Sequence, residues 1–350
     1  MKTLKDFNFE NKRVLVRCDF NVPLSEKGEI LDDFRIKRTI PTISYLVKQG
    51  AKVILMCHLG RPDGKVIEGQ KLTPIQHKLM EYLDYNPPAT HIYMAPDCIG
   101  EEIEKRTYQM QPGGILLLEN LRFHKEEKEN DDNFAQGLAK LGDIYINDAF
   151  ANSHRSHASM VGVPKYLPSG IGFLLEKEIK MLAKIMENPA KPLIAIIGGV
   201  KAETKARLIN KISEIGAWVL IGGLIDKGIK EKNIQLKNTQ KIVEPVDDIE
   251  GKDIGPKTIE LFQEKIASAK TIFWAGPLGK VEEERFQKGS AEIAQAIIES
   301  GAFSVVGGGE TVKFINQMNL TEKFDHVSTG GGAMLDFIAD GKLVGIEALK

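Results

Sequence analysis

Residues 14–24, VLVRCDFNVPL, constrain the fold more than any other stretch. An apolar run stops abruptly at Arg17, Asp19 and Asn21, and Pro23 then forbids further regular pairing. The pattern predicts a buried strand whose carboxyl end is polar. In open α/β sheets, ligands sit outside the carboxyl ends of strands. A single end of this kind can equally do no more than cap a sheet. The pattern recurs along the chain, and the recurrence decides between the two.

Residues 32–35 lead into IKRTIPTISYLVKQG, whose apolar positions fall at helical spacing and which Gly50 ends as a C-cap. Arg35 lies near that helix start. AKVILMCHLGRP predicts the next strand, followed by His58, Gly60 and Arg61, with Pro62 as its stop. KLTPIQHKLMEYL reads as a helix with Pro74 in its first turn. GGILLLENLRFHKEE repeats the plan, delivering Asn120, Arg122 and His124 after a strand, and residues 126–132 read as a solvated helix face. DNFAQGLAKLG is a helix. DIYINDAFANSHRSHAS is again a strand, followed by Asp148, Asn152, His154, Arg155 and His157. Strand and helix alternating at this spacing predict a parallel sheet of right-handed βαβ units.

Arg17 or Arg35, His58 with Arg61, Arg122 and Arg155 thus share one rim. The planar fork of arginine suits phosphate and carboxylate. Cations gathered on one sheet edge repel one another without an anion, so the rim predicts a small polyanionic ligand. Asp19 and Asn21 would hydrogen-bond its hydroxyls. His154 and His157 have no cysteine or acidic partner at ligand spacing, which argues against a metal pair.

YLPSGIGFLLEKEIKMLAKIMENPAKP carries a helix at about residues 174–186 between two Pro- or Gly-bearing stretches. It is the best domain boundary in the chain and predicts a stiff hinge. Beyond it the strand plan continues, but glycines replace arginines. PLIAIIGGVKAETK ends in Gly198 and Gly199, then Lys201 and Lys205; AWVLIGGLID ends in Gly222 and Gly223. TIFWAGPLGKVEEE carries Gly276 and Gly279, FSVVGGGET carries Gly307, Gly308 and Gly309 before Glu310 and Thr311, and DHVSTGGGA carries Gly330–332. Glycine between a buried strand and a helix lets the backbone approach a phosphate and aims free N–H groups at it. Tight turns alone need fewer glycines, so this half predicts a nucleotide-phosphate site. No G-x-x-x-x-G-K-[ST] is present, and no G-x-G-x-x-G opens a helix, which argues against a P-loop protein and a nicotinamide dehydrogenase. Two such rims joined by a hinge predict phosphoryl transfer between a small anion and a nucleotide.

The length of 350 residues fits two domains, each with its own core. Charges balance, 47 Lys+Arg against 48 Asp+Glu, so no nucleic-acid partner is expected. No apolar run is long enough to cross a bilayer, and the first residues lack a signal-peptide core, so no membrane partner is expected either. Cys18, Cys57 and Cys98 lack CxxC spacing and read as small buried hydrophobes, which fits a reducing cytoplasm.

RCDFNVP, HLGRP, LENLRF, NDAF, DIGPKTIELF, GGGET and STGGGA occur in the order found in phosphoglycerate kinases, and the chain resembles that family over nearly its whole length. The resemblance implies an α/β fold of two doubly wound parallel-sheet domains joined by a hinge helix. It implies residues 1–172 as a glycerate-phosphate domain, with a 335–350 tail returning to it, and 173–334 as the nucleotide domain. The implied reaction is 1,3-bisphosphoglycerate + ADP ⇌ 3-phosphoglycerate + ATP with Mg²⁺, in a cytoplasmic monomer of glycolysis. On the matching positions, Asp19, Phe20, Asn21, Arg35, His58, Leu59, Gly60, Arg61, Arg122 and Arg155 hold the glycerate phosphate. Lys201, Lys205, Gly222, Gly223, Glu282, Gly308, Gly309, Glu310 and Thr311 hold the nucleotide, with Glu310 on the metal. Arg35, Lys201, Gly309 and Gly331 act on the transferred group.

Three departures stand out: Ala275 where the family has Asn, Glu310 where it has Asp, and a shorter segment between Gly223 and Asp253. The replacement, LIDKGIKEKN, offers no aromatic to a base, so guanine nucleotides are expected to be admitted beside adenine ones. The same departures motivate an alternative, a weakened relative that binds phosphoglycerate as a regulatory protein.

Overall fold

The computed structural model describes residues 1–83 and 92–350. The chain divides into two compact units, Met1–Glu178 with Lys342–Lys350, and Ile179–Gly341.

The first unit holds strands β1 (Arg13–Arg17), β2 (Lys52–Met56), β3 (Ile92–Met94), β4 (Ile115–Leu117), β5 (Ile144–Asn147) and β6 (Ser169–Ile171). Its helices are α1 (Phe34–Lys48), α2 (Thr73–Leu83), α3 (Glu101–Gln109), α4 (Lys125–Glu129) and α5 (Asp132–Ala139). The strands run parallel in the order β3-β4-β2-β1-β5-β6. The order reverses direction beside β1 and β5, which makes the crevice at their carboxyl ends the switch point. Every residue of β1 is buried, the pattern of a strand covered on both faces. In α1, Ile36, Thr39, Ile43 and Leu46 recur at helical spacing and are buried, the stripe that seats the helix on the sheet.

Helix α6 (Phe173–Met186) begins in this unit and ends in the next. The second unit continues with β7 (Leu193–Ile197), α7 (Ala202–Ile215), β8 (Trp218–Ile221), α8 (Gly223–Glu231) and β9 (Ile242–Val243). A short antiparallel pair, β10 (Asp248–Ile249) and β11 (Asp253–Ile254), precedes α9 (Pro256–Ala267). Then come β12 (Thr271–Ala275), α10 (Lys288–Glu299), β13 (Phe303–Gly307), α11 (Gly309–Gln317), β14 (His326–Val327) and α12 (Gly331–Asp340). The main sheet is parallel in the order β14-β13-β12-β7-β8-β9, with its switch point between β7 and β12. Strands β7 and β12 are buried throughout. Truncating Phe273 in β12 to alanine should cost about 3–5 kcal/mol.

The last helix, α13 (Val344–Glu347), packs with the first unit. Gly345 N–H donates to Ser153 O at 2.8 Å, and Asn147 Nδ2 donates to Gly345 O at 3.3 Å. A Cβ on Gly345 would sit 3.0 Å from Ser153 O, a tight contact that glycine avoids.

The solvated helix face expected at residues 126–132 forms in part: Lys128, Glu129 and Asp132 are exposed, but the run is not one helix and one acid turns inward. Asn130, in the left-handed conformation at φ 55°, breaks the run into α4 and α5, and Glu127 is completely buried. Its carboxylate turns inward because it accepts both Ser159 N–H, at 2.9 Å, and Ser159 Oγ–H, at 2.6 Å. The three cysteines are free and buried, as small hydrophobes are. Among the described residues, no helix is long and apolar enough to cross a membrane.

Candidate active site

At the first switch point, short hydrogen bonds bring the sequence-predicted residues together. Asn21 Oδ1 accepts Gly60 N–H at 2.9 Å, which ties the loop after β1 to the loop after β2. Arg122 Nη1 donates to Gly60 O at 2.8 Å, adding the loop after β4. Asn120 fastens the loops after β2 and β4 to each other: its Nδ2 donates to Leu59 O at 2.8 Å while its Oδ1 accepts Leu59 N–H at 3.2 Å. Arg35, in the first turn of α1, donates from Nη1 to Asn21 O at 3.0 Å. The same nitrogen lies 2.9 Å from Asp19 Oδ2, an ion pair whose direction does not make a hydrogen bond. Gly60 has a φ of 66°, a left-handed turn that suits glycine, and a Cβ there would meet Gln70.

The side chains differ in access. Phe20 and Leu59 are buried in the core, so only their backbone faces the loops. Arg61 is exposed, and Arg155 is half-buried. Arg17 is not a rim cation: it is completely buried beneath the others. Burial, together with the charges of Arg17, Arg122, Arg155 and Arg35, holds His58 well below the usual imidazole range. Burial and the neighbouring Arg155 and Arg17 draw the Arg122 guanidinium down to about 10. These shifts register cations crowded at one place without enough counter-charge.

The second switch point is a floor of glycine turns. A Cβ on Gly276 would strike Gly198 O at 2.2 Å, and one on Gly198 would strike Pro277 O at 2.0 Å. Gly222 approaches Gly198, Gly308 approaches Gly276 N, and Gly331 lies against Gly309 N, each at 3.3–3.4 Å from the would-be Cβ. By contrast, Cβ positions on Gly199, Gly223 and Gly309 would face open space. Helices α8, α11 and α12 start from this floor, with their unpaired N–H groups and positive dipole ends. Lys201 caps the start of α7 and is exposed. Lys205 is buried, and burial lowers its ammonium to about 8, with Glu310 opposing the shift. Thr311 Oγ1 accepts Gly276 N–H at 3.0 Å, so its hydroxyl also serves the turn. Glu310 is exposed in the first turn of α11, and Glu282 is exposed on the loop between β12 and α10. Beside the floor is a cavity of about 220 Å³ lined by Gly223, Leu224, Val246, Asp247, Asp248 and Leu278, among others.

One carboxylate is the ligand set expected of a magnesium ion bound chiefly through phosphates, and Glu310 on this floor fits it. A different cluster, Asp97, Cys98 and His124, has ligand atoms within 4.8 Å of one another. His124 Nε2 is already 2.7 Å from Asp97 Oδ1, and burial holds the Cys98 thiol well above its usual range. An ion pair beside a buried thiol accounts for it.

An arginine-lined switch point in one parallel-sheet unit and a glycine-lined one in the other define a two-unit α/β protein of the doubly wound kind. The phosphoglycerate kinase family model matches residues 4–230 and 226–342, two stretches that meet within the shortened segment. The chain is 41% identical over 396 residues to the phosphoglycerate kinase of Borrelia garinii, covering 100% of this chain and 99% of that one. The Borrelia turicatae enzyme is 42% identical over 395 residues with the same coverage. Among solved structures, phosphoglycerate kinase from Pyrococcus horikoshii superposes with a TM-score of 0.86 at 32% identity, over 100% of this chain and 98% of that one. That from Coxiella burnetii superposes at 0.82, also at 32% identity, over 99% of this chain and 98% of that one. The chain belongs to the phosphoglycerate kinase family.

The sequence did not reveal Glu127, Ser159 or the buried position of Arg17. Glu127 lies in KEEKE among acids that look alike, and no spacing marks the one that turns inward. His157, which lacks an acidic partner nearby in sequence, lies with Nδ1 3.6 Å from Glu127 Oε1.

Proposed function

We propose that this chain catalyses reversible phosphoryl transfer between 1,3-bisphosphoglycerate and ADP, giving 3-phosphoglycerate and ATP in glycolysis. The match to the family along the whole chain carries the reading. The first unit takes the glycerate phosphate and the second the nucleotide. Arg122, Arg155, Arg61 and His58 neutralise or donate to the anion, while Asp19 and Asn21 accept from its hydroxyls. Phe20, Leu59 and Gly60 contribute backbone. Arg35, braced by Asn21 O, and the exposed ammonium of Lys201 neutralise charge on the moving group. Amides at Gly309 and Gly331 add donors at helix starts, where they need no reorganisation. No covalent intermediate is required if the acyl phosphate and the terminal oxygen of ADP are held in line.

Lys205 and the turns at Gly222, Gly223 and Gly308 support the nucleotide phosphates, with Thr311 beside them. Glu282 takes the ribose. Magnesium held by Glu310 and the phosphates would neutralise phosphate charge. The proposal includes a cytoplasmic monomer that acts on small molecules and has no nucleic-acid or membrane partner. No observation favours a binding-only protein. A coupled assay for ATP formation from 1,3-bisphosphoglycerate and ADP tests the reading. Absence of turnover by the folded chain with Mg²⁺ present would reject it.

A further inference from the structure

Beneath the arginine rim lies a buried array that the phosphoryl transfer itself does not use. Arg17 Nε donates to Ser159 Oγ at 2.8 Å, and Nη1 donates to Cys18 O. Nη2 lies 3.4 Å from His58 Nδ1 and 4.0 Å from Glu127 Oε1. Ser159 links the two charges, because its hydroxyl accepts from Arg17 and donates to Glu127. Tyr145 Oη–H fixes the Ser159 carbonyl at 2.9 Å. Arg17, Glu127 and Ser159 are all completely buried.

A guanidinium has donors and no acceptor. The contact with His58 Nδ1 therefore requires a bare lone pair there, which places the ring proton on Nε2. Nε2 is buried and, among the described residues, has no hydrogen-bond partner. We infer that Glu127 and Arg17 are positioning residues that hold His58 as a neutral imidazole with its proton on Nε2, offered to the bound anion. The last step rests on the proposed glycerate site; the tautomer does not.

The charged groups facing His58 are Arg17, Arg122, Arg155 and Arg35, all cations, which together with burial suppress its protonation. The titratable groups around Glu127 are Arg17, Arg122 and His157, with the Cys98 thiol and the Tyr145 hydroxyl nearby. Burial opposes the ionisation of Glu127, but the nearby His157 ring, the charge of Arg17 and the hydrogen bonds from Ser159 outweigh it and hold the carboxyl below its usual range. An ionised Glu127 is thus the internal counter-charge that keeps Arg17 in place under a rim of like charges. A neutral donor among arginines recognises an oxyanion without adding repulsion to the empty site.

Long-range ¹H–¹⁵N NMR of the ligand-free chain reads the tautomer directly. Nε2 should be protonated and Nδ1 bare, unchanged through the range in which free imidazole titrates. A proton on Nδ1, or an ordinary imidazole titration, overturns the inference even if no variant folds. The variants are Glu127→Gln and the charge-balanced pair Arg17→Met with Glu127→Gln. Both should raise KM for 3-phosphoglycerate about tenfold with little change in KM for the nucleotide. In the pair, His58 should sample both tautomers or begin to titrate; an unchanged tautomer, or an unchanged KM, also overturns it. If the wild-type ring is as stated but the chain makes no ATP and its ring shifts ignore added 3-phosphoglycerate, the functional reading fails and the tautomer stands.

Discussion

The ammonium of Lys205 donates to the carbonyl oxygen of Ala275 at 3.0 Å, buried beneath the glycine floor. Burial has drawn its pKa to about 8, so near that pH the folded chain holds the proton only part of the time. A bound phosphate favours the charged form and raises the pKa. Nucleotide binding near pH 8 should therefore take up a fraction of a proton, and affinity should weaken as pH rises above that value. Calorimetry in two buffers of different ionisation enthalpy measures the uptake. Zero uptake would mean that Lys205 never leaves the carbonyl for the phosphate.

Arg35→Ala should abolish most turnover while sparing the fold. Arg35 is braced by Asn21 O and Asp19 but is only partly buried, so little packing is lost. The expected loss is several kcal/mol of transition-state stabilisation. A fall in kcat of less than about tenfold, with the melting temperature unchanged, would show that Arg35 is not a clamp.

Asp148, after β5, is completely buried, and burial lifts its carboxyl to about 7 from a usual 3.8. One oxygen, Oδ1, accepts the N–H groups of Leu174 and Leu175 at the start of α6. Between these two values the folded chain keeps a proton that the unfolded chain has lost. The contribution of this group is therefore full below the unfolded value and is lost as pH rises through the folded one. Asp148→Asn keeps the acceptor and removes the titration. Its melting temperature should gain on the wild type as pH rises from about 4 to about 7. Parallel melting curves over that range would refute the assignment.

Base selectivity should be weak. The apolar wall beside Gly223 is Leu224, Val246 and Leu278. The nearby carboxylates already have partners: Asp247 accepts from Thr258 and Lys257 N–H, Asp253 from Ile254 and Gly289 N–H, and Asp226 pairs with Lys230. A wall whose carboxylates are already engaged is poorly equipped to reject a purine of similar shape. The ratio of kcat/KM for ADP over GDP should stay below about a hundredfold. A larger preference for ADP would reveal an adenine reader elsewhere in the chain.

The parts of this fold that could be read in the sequence share a physical origin. Strands buried on both faces are short apolar runs, and the residues just past their carboxyl ends are conspicuous, as with Arg122 after β4 or Gly276 after β12. The three-residue strands β3 and β6 carry too little pattern to stand out, since a period cannot be read from IYM or SGI. Helices α1 and α7 show their apolar stripes plainly. Glu127 could not be found, because its burial depends on Ser159 and Arg17, which are remote in sequence. Local composition says a lysine- and glutamate-rich turn belongs in water, and a long-range contact overrides it. The same holds for Arg17, which reads as the tip of a strand and lies under the rim.

The strap formed by Gly345 on Ser153 has a consequence for the order of events during biosynthesis. The first unit includes residues 342–350, yet the ribosome delivers them only after the entire second unit has been made. Until then Ser153 O and Asn147 Nδ2, next to the loop that carries Arg155, lack the partners from the tail that they have in the finished protein. A nascent chain can assemble most of the first sheet early, but it seals the floor under that loop last. Chains that stall late in translation would thus emerge as nearly complete molecules in which the loop carrying Arg155 lacks the tail's support.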